Sequence, residues 1–191
     1  SYTGHDFAGK WTHLVCTRVG TGSNEFKLYL NGLNVSSATL AANLSIAGAN
    51  VMKIGAGMNL ATGSNSNQWE GFMDEVMVYK GIGFNANTVI EHYQAGRAGR
   101  HNTANASCVL HLKADSIYGA TGFTDSSAVG HTITNKGGAW HHIDDNRTAN
   151  TTLYFDGSSK IEIPWSSAID FAEANDSWTF ECWAKYTSTA A

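Results

Sequence analysis

The run Phe26-Lys27-Leu28-Tyr29-Leu30, followed at once by Asn31-Gly32, limits the possible folds more than any other stretch of this chain. Phe26, Leu28 and Leu30 fall on one side of an extended strand, and Lys27 and Tyr29 on the other. Asn-Gly favours the left-handed backbone of a type I′ turn, whose twist matches that of the strands it joins. Residues 33–37 are therefore expected to return antiparallel to residues 25–30.

The same grammar recurs along the chain. Residues 11–18 (WTHLVCTR), 51–55, 71–79, 108–114, 131–135, 153–155, 160–163 and 178–186 all read as short strands between polar turns. One helix interrupts them: Asn85 or Asn87 caps it, Val89, Ile90 and Tyr93 give it an apolar side, and Gly96 is expected to end it after two turns. So short a helix is expected to plug one end of a sandwich. The stretch AGRAGRHNTANAS that follows has no large apolar residue and reads as a linker. Many short strands with a single brief helix give an all-β fold, an antiparallel sandwich.

Composition excludes several function classes. Only 15% of residues are charged, yet 11% are aromatic and six are tryptophan, so the chain has too much to bury to be disordered. A net charge of −4 leaves no basic footprint for nucleic acid. No apolar run approaches the roughly 20 residues that span a bilayer, so membrane insertion is not expected. Cys16, Cys108 and Cys182 are too few and scattered for a disulfide framework or a zinc site, and buried free thiols in a reducing place of folding suit them better.

WTHLVCTR…KLYLNG, MKIGAG and GFMDEVMVYKGIGFNANTVIEHYQAG together resemble the second half of a laminin G-like module of the concanavalin A-like lectin/glucanase superfamily. CVLHLKADS…FTDSSAVGHTIT…LYFDGSSKIEIP…SWTFECWAK resembles the first half. The resemblance implies a concanavalin A-like jelly roll and covers nearly the whole chain, but the closing half precedes the opening half. Residues 1–97 are thus expected to be the C-terminal half of one module, 98–107 a linker, and 108–191 the N-terminal half of a module. Either the chain spans two modules of a tandem array, or the halves assemble as one circularly permuted sandwich. The tandem origin is favoured, because half a sandwich must be completed by other chain segments.

For chemistry, strand parity groups Phe72, Asp74, Val76 and Val78 on one face and Met73, Glu75, Met77 and Tyr79 on the other. A carboxylate among apolar neighbours needs a partner or a cation. The resemblance implies that Asp74 helps hold the sandwich together near a structural Ca²⁺, with Asp125 of FTDSSAVGH in a second acidic turn. Without a cation, Asp74 would accept backbone hydrogen bonds and Asp125 would make an Asx-turn. Glycan cleavage calls for two facing carboxylates. Glu181 has Trp183 and Lys185 where an acidic partner would stand, and Asp74 and Glu75 are expected to point apart. No catalytic residues are assigned and no enzyme is expected. His141-His142 with Asp144-Asp145 reads as a solvated loop, and no Ser/His/Asp order stands out.

The remaining lead is aromatic. In residues 178–186, Trp178, Phe180, Cys182 and Ala184 share one face and Thr179, Glu181, Trp183 and Lys185 the other. Trp183 between Glu181 and Lys185 can stack on a sugar ring while the charges take its hydroxyls, unless a neighbouring strand or subunit covers it. Trp69, Trp140 and Trp165 are expected near loops, where they can line a rim. The expected function is a non-catalytic sandwich module of a surface or virion structural protein (a fibre, decoration or adhesin) that contacts other chains of its assembly and attaches to cell-surface glycans. A dedicated Ca²⁺-stabilised lectin module is the alternative. An extracellular or virion-surface location goes with both.

Overall fold

Alternating runs become strands only when each finds a neighbour, and here the neighbours lie far apart in sequence. The computed structural model describes residues 8–41, 51–58, 65–66, 68–100, 105–143, 151–171 and 176–187. In chain order the elements are β1 (Thr12–Arg18), β2 (Phe26–Leu30), β3 (Leu33–Ala38), β4 (Val51–Ile54), β5 (Gly57–Met58), β6 (Asn65–Ser66), β7 (Glu70–Lys80) and α1 (Ala86–Arg97). They continue with β8 (Cys108–Leu112), β9 (Thr134–Lys136), β10 (Trp140–His142), β11 (Thr152–Asp156), β12 (Lys160–Pro164), a 3₁₀ turn (Ser167–Ile169) and β13 (Trp178–Tyr186).

The large sheet runs β10-β11-β7-β13-β1-β2-β3, with β8 also paired to β7. All of these pairings are antiparallel. β13 therefore lies between β7 and β1, so strands from before and after residues 98–107 alternate in one sheet. The β2–β3 turn forms as expected: Asn31 and Gly32 have φ of 51° and 82°, both left-handed as a type I′ turn requires.

β4, β12 and β9 form a smaller sheet. Val76, Val78, Leu110, Leu112, Leu153, Phe155, Ile161, Ile163, Phe171 and Trp178 make the main core, against which Met52 and Ile54 also pack. This is the antiparallel sandwich that the alternating runs predict. A second cluster of Val15, Tyr29, Met77, Tyr79, Phe84, Val89 and Cys108 lies on the opposite face of the large sheet, beneath α1.

Three expectations need correction. First, α1 does not plug an end of the sandwich; it covers the outer face of the large sheet, and its Tyr93 ring stacks on Trp183 at 5.8 Å. Asn85 caps it by accepting from the Thr88 N–H, but the helix runs through Gly96 to Arg97 and lasts 12 residues. Second, strict parity fails along β7. Glu75 has a φ of 50°, and this left-handed residue shifts the alternation, so that Met73, Val76 and Val78 join the main core while Met77 and Tyr79 join the second cluster. Third, His141-His142 is no solvated loop: both lie in β10 and His141 is buried. Asp144 and Asp145 lie outside the described residues.

Candidate functional site

Beneath α1 the sequence places acidic and basic groups where water cannot reach. Glu181, on β13, is 3% exposed. Its Oε1 lies 2.8 Å from His13 Nε2 on β1, and its Oε2 lies 2.9 Å from His92 Nδ1 on α1. Burial by itself would raise the Glu181 carboxyl, but the hydrogen bonds and charges of His13 and His92 outweigh it and hold the group below the usual carboxylate range. Trp183 sits beside this cluster, 3% exposed, with its ring 5.0 Å from His13 and stacked on Tyr93. A second pair, Glu75 Oε2 and His111 Nε2 at 3.0 Å, is equally buried.

Trp183 and Glu181 are therefore closed off from any sugar ring. The covering element is α1 (Ala86–Arg97), 84 or more residues before them in sequence, rather than a flanking strand or another subunit. Lys185 lies elsewhere: its ammonium sits 6.0 Å over the Phe72 ring. The three residues expected to bind glycan together are split between two places.

Asp74 is fully buried, and its Oδ1 accepts the Glu75 N–H at 2.9 Å. Asp125 has its two oxygens surrounded by donors. Oδ1 accepts the His111 and Ser127 N–H groups, and Oδ2 accepts the His131 N–H, the Ser127 hydroxyl and His131 Nδ1, all between 2.8 and 3.0 Å. Burial tends to raise this carboxyl, but the backbone donors outweigh it and lower it. A cation needs oxygen acceptors around it, and Asp125 is ringed by hydrogens instead, so this site does not fit Ca²⁺. Among the described residues, no three His, Cys, Asp or Glu side chains gather closely enough to share a metal ion. The Asx-turn is the arrangement seen, through the Ser127 N–H.

His131 joins Asp125 to a serine, a link that no local pattern marks. Its Nε2 lies 3.0 Å from Ser166 Oγ, while its Nδ1 lies 2.8 Å from Asp125 Oδ2. Spacings of 6 and 35 residues carry no motif, and only the packing of the 125–131 loop against the start of the 3₁₀ turn brings them together.

What the outer face leaves open is a strip of aromatic rings. Trp140 and His142 alternate along β10, and Tyr154 pairs with Trp140 across β11. Tyr154 lies 4.5 Å from Trp140, 5.6 Å from His142 and 5.0 Å from Phe72, and the 59% exposed Tyr118 packs edge-on to His142. Trp140, His142 and Tyr154 are half-buried. The strip faces away from the core because its neighbours Leu153 and Phe155 point inward. Lys185 flanks it at Phe72.

Beside the strip, the 113–126 loop packs along β10 through the Gly119 N–H to His141 O and the His141 N–H to Ala120 O. It encloses a polar hollow of about 260 Å³ lined by Lys113, Asp115, Ser116, Thr124, Ser126 and His141. The strip and the hollow thus lie at the same edge of the large sheet but on opposite sides of β10, the hollow on the side to which His141 turns. Trp140, expected near a loop, directly follows residues 137–139 as the first residue of the edge strand β10, with its ring in the strip.

Residues 3–82 match the family model of the concanavalin A-like lectin/glucanases superfamily, laminin G type. This part of the chain is similar to that family. The match spans β1 to β7, of which β1, β2, β3 and β7 belong to the large sheet, while β13, which joins β1 to β7, lies outside it. No match was found among curated proteins or among solved structures. No helix among the described residues is long and apolar enough to cross a membrane.

Proposed function

We propose that this chain is a binding module of a surface assembly, a virion fibre, decoration or adhesin, and that the Trp140–Tyr154–His142–Tyr118 strip is where it takes a glycan. The observation that carries this reading is the strip itself: four rings on one solvent-facing edge, flanked by the Lys185 ammonium at Phe72. Aromatic faces offer the flat apolar surface on which the C–H side of a sugar ring rests, and polar neighbours take its hydroxyls. Glycan cleavage finds no support in the carboxylates, since Glu181 and Glu75 are each buried against histidine.

A glycan array followed by calorimetry tests the proposal. Trp140→Ala and Tyr154→Ala should each weaken binding of the selected glycan at least tenfold with little change in melting temperature. Unchanged affinity in both variants, or no glycan bound by the wild-type chain, would overturn it. A second reading is that the edge is a contact with another chain of the assembly. Ile117 (78% exposed), Tyr118 and Ile143 (47%) favour it, since they extend the apolar surface. Light scattering of the same variants separates the two.

A further inference from the structure

Asp125, His131 and Ser166 are held in an order that has chemical consequences. An ionised carboxylate only accepts hydrogen bonds, so the 2.8 Å contact to Asp125 Oδ2 obliges His131 Nδ1 to carry a proton. In the neutral ring Nε2 is then the lone-pair nitrogen, and it faces Ser166 Oγ at 3.0 Å. The Ser166 hydroxyl must be the donor. Asp125 cannot turn away, because four further hydrogen bonds fix both of its oxygens. The His131 side chain is 5% exposed, so its orientation is set by packing. Ser166 itself is half-buried, and next to it Trp165 is 42% exposed and offers an apolar wall. The Ser166 hydroxyl makes no capping bond to the 3₁₀ turn that follows.

We infer that Ser166 is an activated nucleophile that accepts an acyl group from an activated carboxylic ester, with His131 as its base and Asp125 as the residue that orients the base. Ser166 Oγ attacks the ester carbonyl carbon, and the hydroxyl proton passes to His131 Nε2 as the new C–O bond forms. Collapse of the adduct breaks the bond to the leaving alcohol, which takes the proton from Nε2. Water, deprotonated by the same nitrogen, then cleaves the acyl-Ser166 ester, releases the carboxylic acid and restores the hydroxyl. No electrons are exchanged with any other group. This activity goes beyond glycan binding and uses none of the residues of the aromatic strip.

The test is covalent labelling of the full chain with an alkyl fluorophosphonate, with adducts located by peptide mass spectrometry. The exposed Ser158 and Ser167 serve as internal controls, since no histidine hydrogen bond activates either hydroxyl among the described residues. The adduct should form at Ser166 and not at the controls. His131→Gln should slow it about 10²-fold, the usual size of a general-base contribution, and Ser166→Ala should abolish it together with hydrolysis of p-nitrophenyl acetate. Labelling of Ser166 no faster than of Ser167, or at the wild-type rate in His131→Gln, would overturn the inference. Nitrogen-15 spectra of the wild-type chain give an answer that does not depend on any variant folding. A proton on His131 Nδ1 agrees with the assignment, and the opposite tautomer refutes it.

Discussion

Gly96 of α1 lies directly over the indole of Trp183, so close that a Cβ on it would come within 2.5 Å of Nε1 and 2.6 Å of Cζ2. Helix propensity alone says that alanine at this position should stabilise the chain by about 1 kcal/mol. Packing says the reverse, because Trp183 is itself wedged between His13 and Tyr93 and has nowhere to go. Forced overpacking costs about 1–3 kcal/mol. Gly96→Ala should therefore lower the melting temperature and shift Trp fluorescence, as α1 lifts from the sheet. A raised melting temperature would show that the contact yields easily.

The carboxylate of Glu181 joins three elements, and its removal should be costly. Glu181→Ala leaves His13 and His92 facing an empty buried space, and breaking a buried pair in this way costs about 3–5 kcal/mol. Acid should act on the same group. Glu181 and Asp125 both titrate below their usual ranges in the folded chain. Depressed folded values mean that their contribution is fully present above the unfolded values, about 4, and is lost as pH falls through the lowered folded ones. Urea midpoints between pH 7 and pH 2 should be level down to about pH 4–5 and drop steeply below. The drop should be shallower in Glu181→Ala. A midpoint that rises in acid would contradict the sign.

Because β13 is hydrogen-bonded to β7 on one side and β1 on the other, neither segment should stand alone. Residues 1–97 and 108–191, expressed separately, are each expected to show no cooperative unfolding transition. Mixed at equal concentration, they should regain one, read by circular dichroism and gel filtration. A cooperative transition in residues 1–97 alone would mean that β1 and β7 find other partners.

The local grammar of the fold was open to reading, and its long-range pairing was not. Asn31-Gly32 fixes its turn by backbone sterics, and Asn85 fixes the start of α1 by one hydrogen bond, so both can be read within a few residues. The bounds of β13 follow likewise from its alternation. The place of β13 between β7 and β1 depends on partners about 100 and more than 150 residues away, and no local pattern encodes it. Glu75 hides its effect on β7 because nothing in GFMDEVMVYK marks a left-handed residue. Gly96 is opaque for a related reason: a glycine near a helix end suggests a terminator, while its role here is set by a tryptophan on another element. The candidate site was less legible still. Trp140, Tyr154 and Phe72 come from three strands, and Trp183, the more conspicuous aromatic in sequence, is hidden by α1.

The central position of β13 also bears on how the chain is made. A ribosome releases β1, β2, β3 and β7 first and β13 roughly 100 residues later, a wait of about 5–20 s at ordinary synthesis speeds. Throughout that interval β1 and β7 lack the strand that joins them, and the sheet cannot close. Folding here begins in earnest only once β13 has emerged, and until then the nascent chain carries two long unpaired edges that a holding chaperone or a neighbouring copy can reach.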